Sequence, residues 1–329
     1  MFHEPQHSFV NRGLKFSSVE VDLPAMMGQK DKAVSNLTRG IEGLFKNTKV
    51  NYVKGYGKFL STSGFSVYTV QGGHSFGRGK NTAIATGSDV KEVTAVEFAA
   101  DIVPTMDGEV RKQFQHAREK QKMKFMLQTK VVSVDITGDG VKLTLKPASA
   151  GHQTTLEANV VLVSAGRVSF TSEPGLDMIG VETDKVCVEC WSMNVLPPNA
   201  PGVHAIGAVV PEPMLAHKAQ EDGIACLEVI TGKEGHVDYD MVLGVVYTHP
   251  EVAYVGKTAE QVKALRVIAK KERGEILGVY VMSPNAGELI HEAVLALQYG
   301  TSSEDIAHPT MSEALKEAAV ATYDKPIHM

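Results

Sequence analysis

Short β-prone runs that end at glycine or another turn residue recur through the first 240 residues, and they constrain the fold more than any other feature. Residues 57–60, 66–70 and 81–86 are such runs, and the third ends at Gly87. Residues 203–209 repeat the pattern of a strand followed by a glycine turn. Strands of this kind, alternating with helical stretches, predict an α/β architecture.

Other stretches of the chain have the periodicity of helices. Residues 25–47 place apolar side chains at steps of three and four, at Val34, Leu37, Ile41, Leu44 and Phe45, which predicts an amphipathic helix that packs along this stripe. Further helices are predicted at 109–125, from 214 to about 230, and at 286–300. Further strands are predicted at 50–53, 93–98, 130–135, 141–145, 160–164 and 276–281, with 160–164 expected to be buried.

Composition is that of an ordinary globular protein, with 43% hydrophobic and 22% charged residues. The formal charge of -5 provides no basic field for nucleic acid. No apolar run approaches the ~20 residues that cross a bilayer. The first residues show the pattern of neither a secretory signal peptide nor an organelle transit peptide.

Three cysteines do not make a disulfide framework. Cys187 and Cys190 have the C-x-x-C spacing of a redox or metal pair. However, neither a second pair nor a helix start accompanies them, and their surroundings suit a strand. We therefore predict a structural role for both, and no metal site.

Residues 308–313 read His-Pro-Thr-Met-Ser-Glu. Pro309 keeps His308 out of helical geometry, and Thr310 and Glu313 have the spacing of a capping box at the start of a helix over 314–319. Histidine titrates near neutral pH, so an imidazole beside a carboxylate suits a general base. The same residues also fit an ordinary surface histidine and a plain helix cap, and spacing alone does not separate these interpretations.

The sequence of residues 308–314 closely resembles the C-terminal signature of the dihydrolipoamide dehydrogenases, a branch of the FAD-dependent pyridine nucleotide–disulfide oxidoreductases. Residues 214–217, Met-Leu-Ala-His, are a second long match. In that family the histidine is the acid/base for the substrate thiol, and the glutamate orients it. The resemblance therefore implies a catalytic role for His308 and Glu313. It also implies an α/β, FAD/NAD(P)-binding Rossmann-like region followed by an α+β dimerisation domain.

FAD contacts are implied in three regions. Residues 54–57 and 85–88 look like family segments beside the adenine side of FAD, where glycine lets a ligand approach the main chain; the residues concerned are Gly57, Thr86, Gly87 and Ser88. Ala208 stands where the family has an aspartate that binds the ribityl and phosphate region. The helix start formed by Met214, Leu215, Ala216 and His217 is implied to face the flavin pyrimidine ring, because helix N-termini favour negative charge.

NAD contacts are implied at three residues. Glu97 ends a strand and matches a glutamate that accepts hydrogen bonds from a ribose. Val131 and Gly166 match residues on the NAD side. Without the resemblance, Glu97 would be interpreted as an exposed strand-end acid and Val131 as a buried strand valine.

The chain also departs from the family. Neither G-x-G-x-x-G nor the redox pair C-x-x-x-x-C occurs in the 329 residues. A strand–turn–helix unit is missing between Val90 and Lys91, and part of the interface domain is missing between residues 264 and 266. A parallel sheet without its first strand and crossover would expose apolar surface and unpaired edge groups. We therefore expect the 329 residues to be an incomplete sequence of a longer chain. A measured intact mass near 35.4 kDa would contradict this expectation.

The resemblance predicts oxidation of protein-bound dihydrolipoamide through a redox disulfide and FAD, with reduction of NAD. The alternatives are a non-catalytic dimeric scaffold and another flavin disulfide reductase. The implied partners are a second copy of the chain and the lipoyl-bearing acyltransferases of 2-oxo acid dehydrogenase complexes. The implied location is the mitochondrial matrix, or the cytoplasm in a bacterium.

We expect a partial FAD-binding domain at residues 1–90 and a partial NAD-binding domain at 91–165. The FAD-binding domain is expected to continue at 166–240, and the dimerisation domain to occupy 241–329.

Overall fold

The computed structural model describes residues 20–90, 99–138, 140–164, 166–172, 174–181, 183, 200–211, 213–264, 276–301, 315 and 318. The predictions at Glu97, Cys187, Cys190, His308 and Glu313 therefore lie outside the described residues. Two units are distinguished, one formed by residues 1–58 and 65–77 and the other by residues 59–64 and 78–329. None of the helices in the described part has the length and apolar character to span a membrane.

The predicted first helix is present as α1, Leu23–Asn47. Asp22 caps it, since its carboxylate accepts a 2.9 Å hydrogen bond from Ala25 N. Its apolar stripe is mostly exposed: none of the α1 side chains is buried among the described residues, and Leu37 is 71% exposed. Phe45, at the end of the stripe, contacts the Tyr52 ring at a centroid distance of 5.5 Å. The expected packing is therefore observed at Phe45 and not along the rest of the stripe.

Three strands follow, β1 (Gly55–Ser61), β2 (Gly64–Thr69) and β3 (His74–Arg78), in the sheet order β1-β2-β3. Residues 57–60 and 66–70 were predicted as strands and largely coincide with β1 and β2. The prediction for residues 50–53 is wrong, because the chain there forms no strand. A β-prone run becomes a strand only where another strand pairs with it.

The remaining elements of the described chain, in order, are β4 (Thr82–Ile84), β5 (Ser88–Val90), α2 (Gly108–Lys120), β6 (Thr129–Thr137), β7 (Gly140–Pro147), β8 (Thr154–Ala158), β9 (Arg167–Ser169), β10 (Val203–Ala205), α3 (Ala216–Ile230), β11 (Gly244–Val246), β12 (Glu251–Gly256), α4 (Ala259–Ala264), β13 (Gly278–Ser283) and α5 (Ala286–Gln298). Short 3-10 turns lie at Leu176–Ile179, Gly207–Val209 and Tyr239–Met241.

Strands β4 and β10 pair in parallel, although more than a hundred residues separate them. Ile84 lies opposite Ala205, and both are buried in a core cluster with Leu176, Val203 and Val209. Burial of these small and β-branched side chains stabilises the pair, at about 25 cal/mol for each Å² of apolar surface removed from water. The parallel pairing brings the two glycine turns that follow β4 and β10 to the same edge.

The predicted hairpin is present as β6 and β7, and β8 extends it to a three-stranded sheet. The prediction of a buried strand at residues 160–164 is wrong. This segment has no strand structure, and Val160 and Leu162 are 82% and 85% exposed. A strand needs hydrogen bonds from a neighbouring strand, and no described residue provides them here.

The C-terminal part folds as an antiparallel sheet, β11-β12-β13, covered by α5. Val255, Ile290 and Ala293 are fully buried between them. Glu251 in β12 accepts a 3.0 Å hydrogen bond from Gly287 N in the first turn of α5, where a negative charge is favoured. The predicted strand-then-helix order is confirmed here, with boundaries shifted by two residues or fewer.

Tyr280 in β13 gives a pH-dependent contribution to stability. Its ring stacks on Tyr254 at 5.9 Å, and burial, followed by the charge of Asp107 and then Tyr254, raises the pKa of Tyr280 to about 12. An unfolded tyrosine titrates near pH 10, so this contribution is complete below about pH 10 and is lost between about pH 10 and 12. Tyr280→Phe should therefore show a smaller fall in its urea midpoint from pH 9.5 to 11.5.

The control for this prediction is Tyr247→Phe, because Tyr247 is 83% exposed. That variant should keep the pH dependence of the wild type. An equal fall in the urea midpoint for Tyr280→Phe and the wild type would contradict the prediction.

Candidate functional site

A cavity of about 240 Å³ lies at the carboxyl ends of the parallel strands β4 and β10. Its walls come from three segments that are distant in sequence: the turn after β4, the turn after β10, and the start of α3. The lining residues are Ala85, Gly87, Ser88, Ile206, Gly207, Ala208, Met214, Leu215, Ala216 and Ala219. In α/β folds, ligands bind outside the carboxyl ends of strands. The position of the cavity therefore marks it as the candidate site.

Two glycine turns and a helix start provide the backbone groups of this cavity. Gly87 and Gly207 have φ values of 75° and 76°, which glycine adopts without steric cost. A Cβ added to Gly87 would meet nothing within 4 Å, so the main chain there is open to a ligand. Leu215 precedes α3 without a side-chain cap, and the first turn of α3 carries no acidic residue. The N–H groups of this turn thus remain available for an acceptor on a ligand.

A buried ion pair lies behind the wall formed by Gly207. Lys218 Nζ is 2.9 Å from Asp222 Oδ2, and the two side chains are 0% and 2% exposed. Lys218 also donates hydrogen bonds to the carbonyl oxygens of Gly207 at 3.0 Å and Pro211 at 3.3 Å. Asp222 accepts hydrogen bonds from Gly207 N at 2.8 Å and from Tyr239 OH at 2.9 Å.

The sequence predictions did not include this pair. Its only sequence signal is the i,i+4 spacing of a lysine and an aspartate, which is common on exposed helix faces. Only the tertiary contacts with Gly207 and Tyr239 make the pair a buried one.

Several residues implied to contact FAD lie together at the cavity. Gly87, Ser88, Ala208, Met214, Leu215 and Ala216 line it. The resemblance placed residues 86–88 at the adenine side and 214–217 at the flavin ring, whereas both segments border this one small cavity. A single portion of a ligand would contact both.

Two other predicted FAD contacts lie next to the lining. Thr86 donates a 2.7 Å hydrogen bond to the Phe170 carbonyl oxygen, which holds the turn before Gly87 in place. His217 is not a lining residue; its Nε2 donates to the Leu243 carbonyl oxygen at 2.8 Å. Gly57 lies in β1, and a Cβ at this position would have no neighbour within 4 Å.

The residues implied to contact NAD have contrasting environments. Val131 is 5% exposed and packs with Leu143 and Leu145, as expected of a buried strand valine. Only its main chain could contact a nucleotide. Gly166 has φ 95° and open space around the position of an added Cβ, so a ligand could approach it closely.

Cys226 in α3 does not have the character of a redox thiol. It is free and only 2% exposed. Burial raises the pKa of its thiol, and the negative charge of Asp222 raises it further. Because the thiolate is the nucleophile in disulfide exchange, this residue is suited to packing and not to dithiol chemistry.

Comparison with known proteins decides the family. Residues 79–223 match the model of the pyridine nucleotide-disulphide oxidoreductases, and residues 263–319 match the dimerisation domain of the same group. The chain is 55% identical to dihydrolipoyl dehydrogenase 1, mitochondrial, of Arabidopsis thaliana, in an alignment over 100% of this chain and 81% of the relative. The chain belongs to the pyridine nucleotide-disulphide oxidoreductase family.

Two further comparisons extend this result. The chain is 56% identical to leghemoglobin reductase of Vigna unguiculata, over 99% of this chain and 78% of the relative. The crystal structure of LpdA from Mycobacterium tuberculosis superposes with a TM-score of 0.83, covering 96% of this chain and 86% of that one at 17% identity, and shows the same fold. The Arabidopsis alignment spans 410 residues, so the relative has internal segments that this 329-residue chain lacks.

These comparisons confirm the predicted fold class, an α/β FAD/NAD(P)-binding region followed by an α+β dimerisation domain. They also confirm that the chain is an oxidoreductase of a family that uses FAD and NAD. Nothing in them supports the non-catalytic scaffold.

The cavity fits one part of FAD. Its open glycine backbone and uncapped helix start suit a flat ring that carries hydrogen-bond acceptors, and its apolar lining suits the faces of that ring. About 240 Å³ is less than the ~300–1,000 Å³ of a pocket that encloses a whole drug-sized ligand. The described cavity therefore accommodates a portion of the cofactor and not all of it.

Ala208 offers a direct test of this fit. Ala208→Asp would restore the carboxylate that the resemblance places at the ribityl and phosphate region. A hydrogen bond to a charged group should reduce FAD loss on the order of tenfold, measured as flavin per chain after dilution and gel filtration. Ala208→Asn is the control of equal size without the charge. Equal flavin retention in the aspartate variant and the wild type would count against the placement of FAD at Ala208.

Proposed function

We propose that this protein oxidises dihydrolipoamide, with FAD as the bound cofactor and NAD as the final acceptor. The observation that carries the proposal is the uncapped start of α3 beside Gly87 and Gly207, at the carboxyl ends of two parallel strands. The relatives named dihydrolipoyl dehydrogenase support this choice of substrate. When bound, FAD supplies the redox chemistry between the dithiol and NAD, and the protein supplies binding and orientation.

The chain's own residues would hold the flavin ring through main-chain contacts. The N–H groups at Ala216 and its neighbours would donate to the acceptor oxygens of the pyrimidine end, where the helix dipole also favours negative charge. Gly87, whose surroundings are open, would allow the ring to lie against the backbone. Met214 and Leu215 would cover an apolar face and exclude water from it.

On the NAD side we propose Glu97 as the acceptor of hydrogen bonds from a ribose, with Val131 contributing main-chain contacts and Gly166 a close approach. Gly166 supports this assignment through its positive φ and open surroundings. Glu97 rests on the resemblance and on its position at the end of a predicted strand.

Glu97→Gln should raise the Michaelis constant for NAD on the order of tenfold, because a neutral amide is a weaker acceptor than a carboxylate. Flavin content should stay at the wild-type level, measured by absorbance per chain. Glu109→Gln, in the first turn of α2, is a control that should leave the Michaelis constant unchanged. An unchanged constant in the Glu97 variant would identify Glu97 as an ordinary surface acid.

We further propose that the protein acts as a homodimer within a 2-oxo acid dehydrogenase complex, where lipoyl-bearing acyltransferases deliver the substrate. The match to the dimerisation domain over residues 263–319 supports the dimer. The mitochondrial relatives support a location in the mitochondrial matrix.

The test uses the protein expressed from its complete gene and purified without added cofactor, because the reaction passes through a redox disulfide and the 329 residues contain no C-x-x-x-x-C pair. Bound FAD should give a flavin absorption spectrum, and dihydrolipoamide should drive NAD reduction in proportion to flavin content. Absence of flavin from the pure protein would contradict the cofactor site. Bound flavin without dihydrolipoamide-dependent NAD reduction would instead favour another flavin disulfide reductase.

A further inference from the structure

The buried pair Lys218–Asp222 occupies both hydrogen-bonding groups of Gly207. The Gly207 N–H donates to Asp222 at 2.8 Å, and its carbonyl oxygen accepts from Lys218 at 3.0 Å. Gly207 is a residue of positive φ that lines the cavity. Because glycine populates several backbone regions at similar cost, this double contact selects one of them.

The contacts of the two side chains are complete. A lysine ammonium has three N–H donors, and here they face three acceptors: Asp222, Gly207 and Pro211. The Asp222 carboxylate accepts from Lys218, from Gly207 and, through its other oxygen, from Tyr239. Two charges withdrawn from water are tolerated only when they are paired and hydrogen-bonded in this way.

The geometry also links two walls of the cavity. Lys218 and Asp222 belong to α3, whose first residue, Ala216, lines the cavity together with Gly207 and Ala208 of the turn. The contacts from Lys218 to Gly207 and Pro211 therefore hold this turn at a fixed distance from the helix start.

We propose that Lys218 and Asp222 are positioning residues that set the separation of these two walls and thereby the orientation of the flavin ring. They do not line the cavity themselves and act through the Gly207 backbone. This inference rests on the proposed function, since it concerns the same cavity. It adds to that function two residues that affect the environment of the flavin ring through the Gly207 backbone.

The test uses the isosteric double variant Lys218→Met/Asp222→Asn, which removes both charges together so that neither is left buried and unpaired. Amide hydrogen exchange at Gly207 should become at least ~10-fold faster, because the N–H loses a charged acceptor. Bound FAD should show a changed visible circular dichroism spectrum and on the order of tenfold weaker retention. Lys218→Arg keeps the charge, so its exchange rate at Gly207 and its flavin spectrum should lie between those of the wild type and the double variant. Glu221→Gln, at an exposed position of the same helix, should match the wild type.

Tyr239→Phe provides a second, milder measurement, because it removes one hydrogen bond to Asp222 and leaves both charges in place. It should change the flavin circular dichroism in the same direction and by less. Wild-type exchange at Gly207 and wild-type flavin spectra in the double variant would overturn the proposal, and wild-type values in Tyr239→Phe would do so if the double variant does not fold. Loss of the proposed function itself would give a different result, since the wild-type protein would then carry no flavin.

Discussion

Replacing Lys218 alone by methionine should lower the free energy of unfolding by about 3–5 kcal/mol. The reason is the charge that remains. Asp222 is 2% exposed, and without Lys218 its carboxylate would be an unpaired ion in the protein interior. The Gly207 and Pro211 carbonyl oxygens would lose their donor as well, and unsatisfied buried acceptors add to the cost.

The double variant Lys218→Met/Asp222→Asn should lose much less stability than Lys218→Met. Exchanging a whole buried ion pair for neutral groups of similar volume is often close to neutral, whereas breaking the pair is not. Urea denaturation of the wild type, both single variants and the double variant gives the coupling energy directly. Lys233→Met is the control, because Lys233 is exposed just beyond the end of α3. If the loss of unfolding free energy in the double variant equals the sum of the losses in the two single variants, the pair is not coupled.

The sequence predicts the parts of this site that depend on local structure. The sequence predicts the turns at Gly87 and Gly207, because turn signals act over a few residues. It also predicts the helix start, but at Met214, two residues before α3 begins at Ala216. Their meeting at one cavity required the parallel pairing of β4 with β10, which joins residues more than a hundred positions apart.

The errors have one physical cause. Residues 160–164 have the apolar composition of a buried strand, but no described strand pairs with them. Val161 packs on the cluster of Val131, Leu143 and Leu145, while Val160 and Leu162 are exposed. The stripe on α1 is similar, since its periodicity predicts the apolar face, but among the described residues only Phe45 of this stripe has a ring contact, with Tyr52. Periodicity predicts which face of an element is apolar, but packing depends on what lies opposite.

The buried Lys218–Asp222 pair is another case in which the local sequence does not predict burial. Its spacing on the helix is visible in the sequence, but its burial depends on Gly207 and on Tyr239, which is 17 residues beyond Asp222. No local pattern distinguishes such a pair from an exposed one, and their energetic consequences differ widely.

His308→Gln should depress dihydrolipoamide oxidation on the order of 10²-fold or more, because a general base contributes about 10²–10⁴-fold to such a reaction. His308 and Glu313 lie outside the described residues, and their roles rest on the resemblance. One observation supports the placement of this segment: Leu315, two residues beyond Glu313, is helical and packs on the core cluster of Val255, Ile290 and Leu297. This one residue of the predicted helix thus packs on the cluster between β12 and α5.

In the dimer we propose, Pro309 and the capped helix would hold His308 toward the flavin of the partner. Glu313 would accept a hydrogen bond from one ring nitrogen, which leaves the other free to take the substrate thiol proton within about 2.6–3.2 Å. Glu313→Gln should therefore reduce activity less than His308→Gln, because it disturbs ring orientation and retains the base. His291→Gln, on the exposed side of α5, is a matched control with full activity expected.

The decisive measurement is the steady-state rate of NAD reduction by dihydrolipoamide, normalised to flavin content, for all three variants. Flavin content should equal that of the wild type in each, since in the proposed role His308 would act on the thiol and would not hold the cofactor. Reduction of the flavin by NADH should also persist, because that half of the reaction does not pass through the substrate thiol. Full dithiol activity in His308→Gln, or equal loss in the His291 control, would refute the role of His308 as the base.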